Sequence, residues 1–273
     1  MKPKNGQTNE VVIKKQAGAI AAVNIEQFAD EGFDNVDSKS LALPFLKVLG
    51  QLSPQVTQGD SQFIESARPG MIYNTVTDEL YNGQKGIVVI PCYYKLEYIE
   101  WRDRGQDGSS APINVYPADS DIMSKTTRGD DGKDRLENGN YIEETASHYV
   151  MIVEEGKSST ALITMKSTQK KKSKTWNSMM QSRRMKGKKG FFTPPSWATA
   201  YRLKTTKESN SQNSWYGWVI EFDRYLDDPK LSSTLEATRA FYESAKQSDI
   251  FGKVDFGKEE SVAKQVTDQS TPF

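Results

Sequence analysis

One uninterrupted run of β-forming residues most restricts how this chain can fold. Residues 87–101 read IVVIPCYYKLEYIEW, and their β-branched and aromatic side chains fit the pleated surface of a sheet. Pro91 lies inside the run and has no backbone N–H to donate. The run is therefore predicted to form one long strand, or two short strands that meet at Pro91.

The alternation of side chains along a strand divides this run between two faces. Cys92, Tyr94 and Tyr98 fall on one face, where the two tyrosines are predicted to join the sheet core. Tyr93 and Trp101 share the other face with a lysine, so one of these two rings is predicted to line a groove.

Other segments with strand or helix patterns follow in a defined order. The pattern predicts strands at residues 70–75, 141–154, 159–166, 197–207 and 214–225, and helices at 168–185 and 228–248. Residues 43–49 are predicted to be a short helical turn. This order of strands, one inner helix, strands and a closing helix predicts a mainly β (α+β) fold built on a partly open antiparallel barrel, rather than a parallel α/β sheet.

The distribution of polar residues predicts the domain organisation. Residues 1–40 are predicted to be a disordered N-terminal arm, and residues 249–273 a flexible C-terminal tail. A single domain is predicted at 41–248. Within it, residues 105–140 are rich in Gly, Asp and Ser and are predicted to be a surface loop inserted between strands.

The charges of the chain are strongly segregated. Lys and Arg total 36 and Asp and Glu total 36, yet residues 156–207 contain 14 basic residues and no acidic residue. The rest of the chain therefore holds 22 basic and 36 acidic residues. A concentrated basic segment in a neutral protein is typical of a polyanion binder whose remaining surface is acidic.

Aromatic residues are interleaved with these cations, as single-strand binding requires, because cations neutralise phosphates and flat rings stack on unpaired bases. Alternatively, Trp176 packs in the core and the lysines form a solvated face. The predicted nucleic-acid-binding residues are Lys166, Lys170, Lys171, Lys172, Lys174, Trp176, Arg183, Arg184, Lys186, Lys188, Lys189, Phe191, Phe192, Trp197, Tyr201, Arg202 and Lys204, together with Tyr93 and Trp101.

Several classes of site are disfavoured by residue counts and missing motifs. The chain has one Cys and one His, which excludes an internal disulfide, a multi-cysteine zinc site and a two-histidine metal motif. Phosphate-loop and dinucleotide-binding fingerprints are absent. Cys92 and His148 are predicted to be packing residues. We therefore predict no cofactor, no metal, no catalytic residue and no membrane span.

Short segments resemble tailed-phage proteins of the single-stranded DNA-binding type. The resemblance rests on residues 43–49, 52–54, 63–70, 74–77, 89–93 and 100–102, and covers about 40–105 and, less clearly, 141–225. It implies an oligonucleotide-binding (OB-like) barrel with the inserted basic helix and the C-terminal helix. It also implies a role in phage DNA replication or recombination in the cytoplasm of the infected bacterial host.

The C-terminal Pro272-Phe273 pair is similar to the tip of bacterial and phage single-strand-binding proteins. An apolar ring next to a free carboxylate is a compact docking element, so these two residues are predicted to bind a replication or recombination partner. The alternative is a frayed terminus. The strongly acidic tail of those proteins is only weakly acidic here.

The sequence thus predicts a non-enzymatic, sequence-independent single-stranded DNA-binding protein. Two alternatives stay open at this point. One is a recombination protein that anneals single strands, and the other is a metal-dependent nuclease.

Overall fold

The computed structural model describes residues 31, 42–103, 112–154, 157–211 and 213–247. The predicted tail at 249–273, with Pro272 and Phe273, lies outside the described residues, as does the predicted arm apart from residue 31. Partner docking through the tail therefore stays a prediction.

The described residues form a mainly β structure with two α-helices and four short 3₁₀ helices. The strands are β1 (Leu46–Val48), β2 (Ile72–Asn74), β3 (Leu80–Tyr81), β4 (Ile87–Trp101), β5 (Asn114–Pro117), β6 (Thr127–Arg128), β7 (Asp134–Arg135), β8 (Tyr141–Glu154), β9 (Lys157–Met165), β10 (Met185–Gly187), β11 (Gly190–Phe192), β12 (Thr199–Ser209) and β13 (Ser214–Tyr225). The helices are α1 (Lys170–Ser182) and α2 (Ser232–Lys246).

Two long antiparallel strands, β4 and β8, form the centre of the main sheet, which curls into a half-barrel. At one end, β12 extends the sheet beyond β4 and β9 extends it beyond β8. At the other end, β5 pairs with β4 and β7 pairs with β8. Because β13 pairs with β12, the first end has the strand order β13-β12-β4-β8-β9.

The small sheet β1-β2-β3 joins two strands of the main sheet. Leu162 of β9 donates its N–H to the carbonyl of Pro44 (2.8 Å), and the Thr205 hydroxyl donates to the carbonyl of Gly70 (2.5 Å). A helical turn predicted at 43–49 is therefore wrong. The segment is extended because its backbone pairs with strands that are distant in sequence.

A β-bulge between Pro91 and Tyr93 changes which face each residue of β4 occupies. Cys92 and Tyr93 both pack in the core beneath α2, together with Trp101. The strict alternation expected along residues 87–101 is therefore wrong after Pro91. In consequence, Tyr94 does not lie in the core as predicted, but is 36% exposed.

The two helices pack on two separate apolar cores. Trp176 of α1 lies in a core with Val89, Ile163 and Leu203, whereas Phe241 of α2 lies in a core with Ile90 and Cys92. Since Val89 and Ile90 are adjacent in one strand, the two cores occupy opposite faces of the sheet.

Part of the predicted surface loop at 105–140 is ordered structure, which joins the sheet through β5, β7 and hydrogen bonds to one buried carboxylate. Glu100 of β4 accepts hydrogen bonds from the side chains of Asn114 (2.7 Å), Tyr116 (2.6 Å) and Asn140 (2.5 Å). Burial raises the pKa of Glu100, but these donors outweigh that effect and hold the pKa below its usual value. Hydrogen bonds to this carboxylate therefore help to fix the polar insertion, in addition to the burial of Ile122.

Replacing Glu100 by Gln is expected to lower the free energy of unfolding by roughly 2–4 kcal/mol, because buried donors then lose a charged acceptor and meet an amide N–H. Urea unfolding measures this change. Glu221→Gln is the matched control, since Glu221 pairs with Lys204 on the surface (2.7 Å) and such a pair contributes at most about 1 kcal/mol. Equal losses in the two variants would contradict the role given to Glu100.

Candidate nucleic-acid interface

Helix α1 carries the centre of the basic segment, and the side that bears Trp176 packs against the sheet. The Trp176 ring stacks on His148 at 4.5 Å between ring centroids and meets Tyr201 edge-on at 5.8 Å. Ser173 anchors the same side through a 2.8 Å hydrogen bond to His148 Nε2. The helix therefore presents mainly its polar side to solvent, with Met179 and Met180 partly buried at the border.

Three of the predicted stacking residues are core residues. Trp101, Trp176 and Tyr201 are all buried, so none of their rings offers a free face to a base. This corrects their predicted role: Trp176 and Tyr201 pack between the sheet and α1, and Trp101 packs in the core beneath α2. Trp197 and Tyr93 are partly buried against the core beneath α2, where Tyr93 also contacts Tyr149 and Tyr242.

Five of the predicted phosphate-binding cations already have acidic partners in the folded chain. The pairs are Lys166–Glu143 (2.9 Å), Lys170–Glu144, Lys172–Glu208 (2.6 Å), Arg202–Asp223 (3.2 Å) and Lys204–Glu221 (2.7 Å). All these acids lie outside the acid-free residues 156–207, in or at the ends of neighbouring strands. Folding therefore neutralises much of the charge that is segregated in the sequence.

The remaining cations lie on the first half of α1, just after its C-terminal end, and on the short hairpin that follows. Arg183 lies over the Phe222 ring, with its guanidinium carbon 4.0 Å from the ring centroid. Within the described part of the chain, the cations that form no ion pair include Lys171, Lys174, Arg184, Lys186, Lys188 and Lys189.

The hairpin β10–β11 places exposed aromatic rings beside these cations. We call residues 184–192 the basic hairpin. Lys186 is paired with Phe191 across the hairpin, and Lys188 and Lys189 form its turn. Phe191 is 76% exposed and Phe192 is 46% exposed. Large exposed rings are unusual on a protein surface, and rings between unpaired cations are what a nucleic-acid strand can stack on.

A groove of about 380 Å³ lies next to the basic hairpin. Tyr94 of β4, Asn177 and Gln181 of α1, and Thr193 line it. The Arg184 guanidinium donates to the Thr193 hydroxyl (2.8 Å), so a cation borders the groove. Sequence reasoning missed this groove, because it exists only where β4, α1 and the loop after the hairpin meet.

Cys92 and His148 do not form a catalytic pair. Cys92 packs on the side of α2 and His148 on the side of α1, so the sheet separates them. Burial raises the pKa of the Cys92 thiol to about 12. In the ranges that the structure describes, no three or more His, Cys, Asp or Glu side chains are grouped in a way that could hold a metal ion.

Fold and surface together define the class: a mainly β protein whose curled antiparallel sheet carries an exposed basic and aromatic hairpin. A family model described as Pam3 phage gp34-like protein matches residues 13–250, and the chain belongs to this family. No curated protein and no solved structure matches it. The phage part of the sequence resemblance is confirmed, and the single-stranded DNA-binding part stays a prediction. Among the described residues, no helix is both long and apolar enough to cross a membrane.

Proposed function

We propose that this phage protein binds single-stranded DNA without sequence preference, as a non-enzymatic factor in phage DNA replication or recombination in the host cytoplasm. The observation that carries the proposal is the basic hairpin, where unpaired cations flank the exposed rings of Phe191 and Phe192. Lys186, Lys188 and Lys189 neutralise phosphates, and the two rings stack on unpaired bases.

The neighbouring groove extends this surface. Tyr94 is exposed there and backed by His148, with the two ring centroids 5.0 Å apart. Lys174, Asn177 and Gln181 are spaced so that they share one side of α1. A strand that leaves the hairpin along this side of α1 meets one cation, two amides and a third aromatic ring.

We also propose that the half-barrel is an oligonucleotide-binding barrel. Support comes from the connection order: β4, β8 and β9 follow one another in the sheet, α1 comes next, and β12 and β13 return to the other edge of β4. A five-stranded, partly open Greek-key barrel of this kind is the scaffold of many oligonucleotide-binding proteins.

The Phe191→Ala, Phe192→Ala double variant tests the stacking half of the proposal. Its affinity for a mixed-sequence single strand is expected to fall by roughly 1–3 kcal/mol per stacked base, while the fold is retained because both rings are exposed. Fluorescence anisotropy with labelled oligonucleotides measures the change. The matched control is Val76→Ala, Val115→Ala, which removes two exposed apolar side chains elsewhere.

Duplex DNA of the same length provides the second comparison. Wild-type protein is expected to prefer the single strand, because paired bases offer no free face for stacking. Equal affinity for both forms, or an equal loss in both double variants, would contradict the proposal. Adding the complementary strand to the saturated complex tests whether the protein also anneals strands.

A further inference from the structure

The two exposed rings of the basic hairpin lie on opposite faces of its two-stranded ribbon. Side chains alternate between the faces along each strand, and residues that are paired directly across an antiparallel pair share a face. Phe191 is paired with Lys186, whereas Phe192 is paired with Met185. The hairpin therefore offers one ring on each face, and the two rings do not form one continuous stacking surface.

A contact with Gly187 confirms the face on which the Phe192 ring lies. A Cβ atom added at Gly187 would lie 3.2 Å from Cδ1 and Cε1 of this ring, so the ring covers the glycine on the face that also bears Met185. This contact is one reason why Phe192 is less exposed than Phe191. Glycine suits position 187, because a side chain there would press on the ring.

The face that bears Phe191 continues into the groove beside the basic hairpin. Lys186 supplies a cation on this face. One step beyond the last pair of the hairpin, Arg184 donates to the Thr193 hydroxyl (2.8 Å), and Thr193 lines the groove. A strand that stacks on Phe191 can therefore run on into the groove.

The face that bears Phe192 is open as far as the turn. Gly187 and Gly190 are paired there and add no side chain between the ring and the turn. Lys188 and Lys189 form the turn, where the two faces meet, and both form no ion pair among the described residues. A strand on either face thus meets one ring and the cations of the turn, which are the two elements that single-strand binding uses.

We propose that the basic hairpin binds forked DNA, in which a duplex opens into two unpaired arms, and that Phe191 stacks on the first unpaired base of one arm and Phe192 on that of the other. A single strand that passes along one face uses one ring, whereas two arms that diverge around the hairpin use both. The hairpin pairs with no other strand in the described structure and both rings are exposed, so both faces are open to DNA at the same time. This inference rests on the proposed function, since it adds a second strand to the same site.

Fluorescence anisotropy with matched DNAs tests the proposal on the full chain. The fork has two arms of about six nucleotides, and the comparison DNA carries one arm of about twelve on the same duplex, so both have the same number of unpaired nucleotides and each arm is within the size of one site. We expect the wild-type protein to bind the fork roughly 5- to 100-fold more tightly, the value of one more stacked base. Native mass spectrometry should show one chain on each fork. Two chains, one on each arm, would overturn the proposal.

Removing either ring should abolish the preference for the fork. One ring remains in Phe191→Ala and in Phe192→Ala, so each variant is expected to bind the fork and the one-armed DNA with nearly equal affinity. Val76→Ala is the matched control, because Val76 is an exposed apolar residue of the turn after β2, and it should keep the preference of the wild-type protein. A fork preference that survives in either phenylalanine variant would contradict the proposal.

Photocrosslinking of the wild-type protein identifies the ring that each arm meets, without any substitution. 5-Iodouracil is placed at the first unpaired position of one arm or of the other, and mass spectrometry locates the crosslinked residue. One arm should crosslink to Phe191 and the other to Phe192. Crosslinks from both arms to the same ring would overturn the proposal.

Failure of the fork assignment and failure of the proposed function give different results. If the protein binds the fork and the one-armed DNA equally, and both more tightly than a blunt duplex of the same length, only the fork assignment fails. If it binds neither more tightly than the blunt duplex, the proposed function fails as well.

Discussion

Replacing Lys186, Lys188 and Lys189 by serine is expected to remove most of the salt dependence that the basic hairpin contributes to single-stranded DNA binding. Each neutralised phosphate contributes about −0.7 to the slope of log affinity against log salt, so three lysines should reduce the slope by about 2. Binding should weaken for all sequences alike, because phosphate contacts carry no sequence information. Anisotropy titrations across a salt series measure both quantities.

The control for this experiment is a second triple variant of equal charge. Lys170, Lys172 and Lys204 lie in or near the same basic segment, but pair with Glu144, Glu208 and Glu221. Their replacement by serine removes the same three charges and should change the slope much less. Equal changes of slope in both triple variants would mean that DNA affinity depends on the total charge of the protein. The basic hairpin would then not be the DNA-binding site.

Lowering the pH from about 7.5 to about 5 is expected to reduce the free energy of unfolding of the wild-type protein by roughly 2 kcal/mol. Burial lowers the pKa of His148 to about 3. An unfolded histidine has a pKa of about 6.5, so below that pH the unfolded chain binds a proton that the folded chain does not. The stability due to neutral His148 is therefore fully present above pH 6.5 or so and is lost as the pH falls towards the folded pKa.

This acid sensitivity can be assigned to one residue because the chain has a single histidine. Urea unfolding at several pH values measures it, and His148→Gln should show a nearly flat profile over the same range. His148→Phe serves as a second variant that retains a ring against Trp176. A flat wild-type profile would contradict the burial of His148 beneath α1, where it is one of the residues that contact Trp176.

Much of the secondary structure was predictable because it depends on near neighbours in sequence. The strand over residues 87–101, the helix within 168–185 and the hairpin that became β12 and β13 all follow local propensity and periodicity. The helical turn predicted at 43–49 was wrong for the opposite reason. Its extended form depends on pairing with β2 and on a hydrogen bond to β9, more than 100 residues further along the chain.

The bulge after Pro91 shows how a small backbone irregularity changes the face of the sheet to which the following side chains point. Strict alternation predicts Tyr94 in the core, yet the extra residue at the bulge turns it towards α1 and the groove. Proline was a visible signal of a break in the strand. The local sequence did not show that the residues on both sides of Pro91 belong to one strand. Nor did it show that side chains after the bulge point to the opposite face from the one that strict alternation predicts.

Composition and periodicity are local properties, so they indicate most of the long strands and helices and the place where the cations are concentrated. Which cations and rings remain exposed depends instead on contacts between distant parts of the chain. Lys170 and Glu144 are 26 residues apart, and they pair because α1 packs beside β8. Trp176 is buried by residues of distant strands, whereas Phe191 stays exposed because its two-stranded hairpin pairs with no other strand in the described structure. Charge neutralisation and burial depend on contacts between distant segments, and the folded chain alone establishes those contacts.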